Sequence, residues 1–256
     1  MRLPPITPAA PGASRPFSRS INARRAPASY AAFRLFEGKE PPTLSIKDQV
    51  AVAVAERIIE GRFKPGERIP EQLIAAEFGI SKAPVSEALI LLEYAGLIES
   101  AARRSAYVPL LSVADFDELT EYRAALARVY LLRFFDGQQA TDRSVMRSYI
   151  EQLEALVADE ARAFDFVELF DRSSLFAAVQ AGNRRIARTM FSVSLQTLRY
   201  YRLGSQTVRQ RRATLSLWRR AAQAREERDK KRYLDLCEAM SAARYAETLA
   251  VLKAAG

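Results

Sequence analysis

The 256-residue chain contains no histidine and only one cysteine, Cys237. Without histidine it cannot build the serine–histidine or cysteine–histidine pairs of many hydrolases, and it has no glycine-rich phosphate loop. A single cysteine cannot form a disulfide within the chain, which fits a reducing cytoplasm. The longest apolar runs are too short to span a bilayer, and the first residues do not resemble a signal peptide. The sequence therefore predicts a cytoplasmic protein that is neither an enzyme nor a membrane protein.

Proline is abundant at one end of the chain and absent from the other. Eight of the twelve prolines lie in residues 1–45, and no acidic residue precedes Glu37. This composition cannot bury enough apolar surface to fold, so we expect a disordered basic tail over residues 1–45. A solvated tail, a start codon assigned too early and an arm that contacts nucleic-acid phosphate are alternatives at this point.

After Pro109 the chain has no proline and only four glycines, while Ala, Leu, Arg and Glu dominate. Such a composition is typical of helices packed on helices. The breaks predict an antiparallel all-α bundle over residues 110–256, with Ser112, Thr141 and Asn183 as N-caps. A bundle of this size can enclose a ligand. The six helices are expected at about 113–136, 142–161, 164–181, 184–203, 210–227 and 229–254.

Residues 46–109 have the pattern of a winged helix-turn-helix. A helix over about 46–60 precedes two short amphipathic helices, which are separated by Gly79, Ile80 and Ser81. Glycine suits a turn that needs a positive φ, and Ser81 can cap the second helix by accepting a backbone N–H. The first short helix carries Leu73, Ile74 and Phe78 on its apolar side, the second Val85, Leu89 and Leu92. Strands at 97–100 and 106–108 would form the wing.

The motifs of this segment resemble the N-terminal domain of GntR-family transcription regulators. They read K-P-G, E-x-x-I-A, F-G-I-S-K-A-P-V-S-E-A-L and L-L-E-x-x-G-L-I, and they cover residues 46–109 nearly end to end. The resemblance implies a DNA-binding regulator that sits as a homodimer on a two-fold double-stranded operator. A plain helical hairpin is the alternative interpretation of the same helices.

In this family the start of the second helix reads base edges in the major groove. Net charge is +9, but residues 44–109 carry eight basic and nine acidic side chains, so binding depends on where the cations point. Lysine, which replaces a common arginine of the family, is a point charge with broader tolerance than a bidentate guanidinium. The predicted DNA-contacting residues are Gln72, Ser81, Lys82, Ala83 and Ser86, with Arg103 and Arg104 in the wing.

The helical region resembles the C-terminal effector-binding domain, of the FCD type, in the FadR branch of the same family. Fragments such as D-F-D-E-L-T-E-Y-R-A-A-L and L-S-L-W-R-R-A-A-Q carry the resemblance. Many members hold a metal there with one aspartate and three histidines. Asp171 keeps the carboxylate, but the histidine positions fall on Ser174 or Leu175, Trp218 and Met240. An indole and a thioether do not make a divalent-cation cage, so we predict no metal and no cofactor.

The same alignment predicts an effector pocket without metal. Trp218, Met240, Phe176 and Leu175 would line it, and Arg123 matches an arginine that faces the pocket in similar proteins. A planar guanidinium suits a carboxylate-bearing organic effector. Two alternatives stand beside this interpretation: a filled core that binds nothing, and an Arg123 that pairs with a protein carboxylate. The sequence thus favours an effector-responsive DNA-binding regulator over an effector-independent one whose bundle serves only dimerisation or scaffolding.

Overall fold

The computed structural model describes residues 44–101, 105–137, 140–204 and 207–255. The predicted tail, up to residue 43, and the predicted DNA contacts Arg103 and Arg104 lie outside the described residues. The described part is mainly α-helical, as the sequence predicts, and the chain divides after Leu110 into two compact units. No helix within the described ranges is long and apolar enough to cross a membrane.

The first unit is a winged helix-turn-helix. Helix α1 begins with a capping box, in which Ser45 and Asp48 satisfy each other's backbone N–H groups. Its many Ala and Val side chains are buried where it packs against α3. The elements are α1 (Ile46–Ile59), α2 (Glu71–Phe78), α3 (Lys82–Tyr94), β1 (Glu99–Ala101) and β2 (Ser105–Tyr107).

The turn between α2 and α3 follows the sequence prediction in its backbone but not in every side chain. Gly79 ends α2 in the left-handed region at φ 65°, where glycine carries no steric penalty. Ser81 occupies the N-cap position of α3 with extended φ and ψ, yet its side chain makes no capping hydrogen bond. The prediction of a side-chain cap was therefore wrong; Ser81, Lys82 and Ala83 are exposed, so water reaches the amides of this first turn. Leu73, placed on the apolar side of α2, is 68% exposed.

The wing is shifted from its predicted position. Strands β1 and β2 pair antiparallel with Glu99 opposite Tyr107, whereas the sequence placed the first strand at 97–100. Leu97 and Ile98 are buried in the core just before the sheet begins. A feature that the sequence did not reveal is a third extended segment, because the Ile69 amide donates to the Ala106 carbonyl at 2.8 Å. The wing is thereby tied to the chain that leads into α2.

The second unit consists of six described helices joined by short connections. The two last helices pack closely as a hairpin, and α6 packs against α4, α5 and α7. Asn183 caps α7 by accepting the amides of Arg185 and Ile186, and Ser112 accepts the amide of Asp115 at 3.1 Å, as predicted. The prediction of Thr141 as an N-cap was wrong, because α5 already begins at Ala140. The helices are α4 (Val113–Gly137), α5 (Ala140–Leu156), α6 (Ala163–Gln180), α7 (Arg184–Tyr201), α8 (Val208–Glu226) and α9 (Lys230–Ala255).

Helix α5 ends five residues earlier than the sequence pattern predicts. It stops at Leu156 rather than near residue 161, and a fully buried arginine explains the difference. The Arg211 guanidinium donates to the carbonyls of Val157 and Asp159, at 3.0 and 3.4 Å. These carbonyls, which lie just beyond the end of the helix, obtain their partners from α8 instead of from helix continuation. A single-sequence pattern carries no signal for such a long-range contact.

Candidate functional site

The first candidate site is the exposed start of α3. Ser81, Lys82 and Ala83 are all solvent-exposed, and Gln72 is exposed near the start of α2. Ser81, Lys82 and Ala83 thus present a hydroxyl, a cation and a methyl group at the start of α3, and Gln72 presents an amide on α2. These are groups that can bind phosphate, base edges and thymine methyls in a major groove.

Ser86 is one turn further along α3 and is only half-buried. Its hydroxyl donates to Oε2 of Glu71 at 3.1 Å. Because a hydroxyl has one proton to donate, Ser86 is left with acceptor capacity toward any other partner. The sequence carries no signal for this role of Glu71, since nothing local connects the first residue of α2 with the second turn of α3.

Two ion pairs tie α1 to the recognition helices. Arg57 contacts Glu77 of α2 at 2.6 Å, and Lys47 contacts Glu87 of α3 at 3.7 Å. The first pair is the more buried, so it contributes more to the orientation of α2 than the exposed second pair does to that of α3. Only the weaker, exposed pair acts on α3, the helix that carries Lys82.

The second candidate site is a cavity of about 520 Å³ inside the six-helix unit. This volume is in the range of small-molecule sites. Four of the predicted effector residues line it: Arg123, Ser174, Trp218 and Met240. Its apolar walls come from all parts of the bundle and include Ala124, Ala127, Leu131, Phe134, Met146, Ile150 and Ala177.

The other predicted lining residues lie elsewhere. Phe176 and Leu175 are buried in the core rather than in the cavity wall, because the cavity-facing side of α6 is formed by Phe170, Ser173, Ser174 and Ala177. Phe176 instead packs against Phe134 and Tyr149, with ring centroids 6.2 and 6.1 Å away. The expectation that these two residues face the pocket was therefore wrong.

Arg123 and Asp171 form a buried ion pair at the cavity wall. Their side chains are 11% and 1% exposed, and Nη2 of Arg123 lies 2.6 Å from Oδ1 of Asp171. The other terminal nitrogen of Arg123 donates to the hydroxyls of Ser194 at 2.7 Å and Thr197 at 3.2 Å. Asp171 does not line the cavity but holds the guanidinium that does. The arrangement satisfies a buried charge, as buried arginines require.

Four further arginines that the sequence did not predict line the cavity: Arg143 and Arg147 are exposed, whereas Arg225 and Arg244 are buried. Arg225 donates to the Phe134 carbonyl at 2.8 Å and stacks on the ring of the same residue, and burial lowers the pKa of its guanidinium. Arg244 lies 3.9 Å from the ring centroid of Tyr201 and 4.6 Å from that of Phe170. Helical spacing could have found Arg244, because it lies one turn after Met240 on α9.

The remaining ionisable groups of the cavity interior are neutral near pH 7. Burial raises the pKa of Tyr130 and that of the Cys237 thiol to about 12, and it raises the pKa of Tyr233 well above its usual value. A thiol that stays protonated is a poor nucleophile and a poor metal ligand. In the described residues no group of three or more His, Cys, Asp or Glu side chains could hold a metal ion. The charge of the interior is therefore set by arginines.

Comparison with known proteins gives a family match within the first unit and relatives that match part of the chain. Residues 46–108 match the family model described as bacterial regulatory proteins, gntR family. The HTH-type transcriptional regulator YdhC of Bacillus subtilis (strain 168) is 30% identical over 112 residues, which are 44% of this chain and 50% of that protein. The Nta operon transcriptional regulator of Aminobacter aminovorans is 28% identical over 134 residues, 52% of this chain and 62% of that protein. The chain thus spans about half the length of these relatives.

Solved structures share the fold over most of the chain. E. coli McbR/YncC superposes with a TM-score of 0.68 at 17% identity, covering 80% of this chain and 98% of that chain. A GntR transcriptional regulator from Rhodococcus sp. RHA1 gives a TM-score of 0.67 at 20% identity, covering 81% and 99%. At these identities the likeness concerns the fold alone. The family model matches residues 46–108, the segment that includes the exposed start of α3.

Proposed function

We propose that the protein is a sequence-specific DNA-binding transcription regulator whose bundle binds a small organic acid that changes its affinity for the operator. The observation that carries the first half is the exposed start of α3, with Lys82 and Ala83 open to solvent in a unit that matches the GntR model. Ser81, Ser86 and Gln72 extend the same surface. Arg103 and Arg104 of the wing remain predicted DNA contacts.

The Ser86–Glu71 hydrogen bond indicates which base groups Ser86 would recognise. Because its proton is given to Glu71, Ser86 would accept from a base amino group, such as N4 of cytosine or N6 of adenine. Ala83 would contact a thymine methyl, and Lys82 a guanine edge. Glu71 thereby positions Ser86 without touching DNA itself.

The test is DNA capture followed by a gel shift. DNA fragments retained by the protein are sequenced, and the enriched sequence is compared with random DNA at several salt concentrations. Lys82→Ala should weaken operator binding by about 1–3 kcal/mol while changing random-DNA binding less. Lys253→Ala, which removes an exposed lysine from the last turn of α9, is the matched control. An equal loss on both DNAs would show that Lys82 only contacts phosphate, and no shift at low salt would refute DNA binding.

The effector half of the proposal rests on the 520 Å³ cavity. Trp218 and Met240 provide apolar surface, Ser174 a hydroxyl, and Arg123, held by Asp171, a cation. We propose that this is the effector-binding domain of a FadR-like regulator that works without metal. An effector-independent DNA-binding protein, whose bundle serves only dimerisation or scaffolding, is the second candidate, favoured by the protein partners that Arg123 already has. A thermal-shift screen of organic acids separates the two, since a ligand at a hundred times its Kd adds about 2.7 kcal/mol.

We also propose that the chain is a homodimer. Helix α4 exposes an apolar stripe with Tyr122 at 50%, Val129 at 44% and Leu132 at 39% exposure. These residues recur at helical spacing, and exposed apolar stripes of this kind mark association surfaces. Light scattering after size exclusion measures the mass directly, and a monomer at concentrations that saturate DNA would refute the proposal.

A further inference from the structure

Two buried tyrosines line the cavity: Tyr130 on α4 and Tyr201 at the end of α7. They are only 4% and 5% exposed. Neither hydroxyl makes a hydrogen bond to any other residue that the structure describes. A buried tyrosine usually finds a partner for its hydroxyl. Two exceptions around one cavity indicate that the partner is a molecule inside it.

Both hydroxyls have access to the cavity. Among the described residues, the unpaired polar atoms that solvent cannot reach include Oγ1 of Thr214 and Oγ1 of Thr248, but neither tyrosine hydroxyl. The two hydroxyls are therefore in contact with open space, although their residues are almost fully buried. Because both residues line the cavity, that space is the cavity.

The two hydroxyls belong to one region of the cavity. Helix α4, which carries Tyr130, packs against α7, which carries Tyr201. Burial raises the pKa of Tyr130 to about 12, and Arg123 and Tyr201 lie near enough to affect the same pKa. The guanidinium carbons of Arg123 and Arg244 lie 5.9 and 3.9 Å from the ring centroid of Tyr201. These contacts hold the Tyr201 ring, so its hydroxyl is positioned before a ligand binds.

The chemistry of this pair of hydroxyls favours an uncharged acceptor. A protonated phenol has one proton to donate, and the raised pKa of Tyr130 keeps that proton in place near neutral pH. A carbonyl oxygen has two lone pairs and can accept from both hydroxyls at once. It also brings no charge into the interior, where an added charge is costly. A hydrocarbon in the same place would leave both hydroxyls unsatisfied.

We propose that the hydroxyls of Tyr130 and Tyr201 bind the oxygen of an uncharged carbonyl group, such as a ketone, ester or amide, on the body of the ligand. Leu131 and Phe134, which also line the cavity, provide apolar contacts for the rest of that body. This inference rests on the proposed effector cavity, but it assigns two residues and a ligand group that the proposed function does not include. It involves no contact between an arginine and a carboxylate, so it applies to neutral ligands and to the carbonyl-bearing body of an acid alike.

The test uses three phenyl-bearing ligands of similar length: benzylacetone, butylbenzene and phenylbutylamine. The ketone carries the acceptor, the hydrocarbon lacks it, and the protonated amine can only donate. Isothermal titration calorimetry of the full chain gives the dissociation constants. The fluorescence of Trp218, which is the only tryptophan and lines the cavity, reports occupancy. The amine should bind at least about tenfold more weakly than the ketone, because it offers no acceptor and brings a charge into the interior.

Two conservative variants test the hydroxyls. Tyr130→Phe and Tyr201→Phe should each weaken ketone binding by about three- to tenfold, the loss of one hydrogen bond, and change butylbenzene binding by less than about twofold. Neither should lower the midpoint of urea unfolding, because neither hydroxyl has a partner among the described residues. Tyr200→Phe is the matched control: the Tyr200 hydroxyl donates to Asp115 and accepts from the Ser112 amide, and Tyr200 does not line the cavity. It should lower the midpoint and leave ketone binding unchanged.

Two results would overturn the inference. Equal ketone affinity in the unaltered protein and in both cavity variants would show that the hydroxyls do not bind the carbonyl, while leaving the cavity open to organic acids. Failure of the ketone to bind at all would refute the ligand class. The organic-acid screen and the operator shift decide the proposed function in separate assays, so its failure is distinguishable from the failure of this inference.

Discussion

The buried pair of Arg123 and Asp171 should make the stability of the bundle respond asymmetrically to substitution. Arg123→Met leaves the Asp171 carboxylate, whose side chain is 1% exposed, without its guanidinium. Removal of one partner of a buried pair costs up to about 3–5 kcal/mol, because the remaining buried charge loses a close opposite charge. Asp171→Asn is milder: the amide oxygen still accepts from Arg123, which keeps two hydroxyl partners and faces the cavity. We expect a loss of about 1–2 kcal/mol for that variant.

Chemical unfolding followed by tryptophan fluorescence measures the effect. Trp218 is the sole tryptophan and lies in the six-helix unit, so its signal reports unfolding of that unit alone. Lys230→Met is the matched control, since Lys230 pairs with Asp136 at 2.9 Å but both side chains are exposed. That variant should lose less than about 1 kcal/mol. An equal loss in all three variants, or a greater loss in Asp171→Asn than in Arg123→Met, would contradict the reasoning.

Three other perturbations have defined outcomes. Gly204→Ala should destabilise the bundle by about 1–3 kcal/mol, because a Cβ there would lie 2.6 Å from Oγ1 of Thr248. Gly137→Ala should not destabilise it, because a Cβ at that position meets open space. The midpoints of urea unfolding compare the two variants. Cys237 should resist iodoacetamide near neutral pH in the native protein and react in denaturant. Its pKa of about 12 keeps the thiol protonated until the pH approaches that value, so a fast native reaction at pH 8 would contradict its burial. Val129→Glu should shift a dimer toward monomer in light scattering, because it places a charge in the exposed stripe of α4; an unchanged mass would place the dimer contact elsewhere.

The fold class followed from the sequence because its signals are local. The absence of proline and the scarcity of glycine after Pro109 leave few places where a helix can end, and hydrophobic spacing repeats through each segment. The helix-turn-helix was readable for the same reason, since Gly79 and Ser81 mark a turn whose backbone angles the structure reproduces. The predicted end of a helix was wrong where a tertiary contact decides it. At the end of α5 this contact is the hydrogen bond from Arg211 to the Val157 carbonyl.

The candidate sites also combine features that local sequence signals predict with features that only tertiary contacts decide. The exposure of Lys82 and Ala83 follows from their position on an amphipathic helix, and the structure places both in solvent. The hydrogen-bonding partners of the polar side chains could not be predicted from the sequence. Glu71 lies 15 positions from Ser86, and Asp171 lies 48 positions from Arg123. Arg123 was a candidate ligand contact in the sequence, and the structure gives it three protein partners.

The sequence by itself determined the order of helices, the winged helix-turn-helix and the residues that its recognition helix exposes. These depend on backbone propensity and on the periodicity of apolar side chains, both of which act over a few turns. Only the tertiary structure decided that a cavity remains between the helices and that Arg244 and Arg123 meet at Tyr201. Packing of side chains from distant parts of the chain sets cavity volume and charge balance, and no local pattern encodes them.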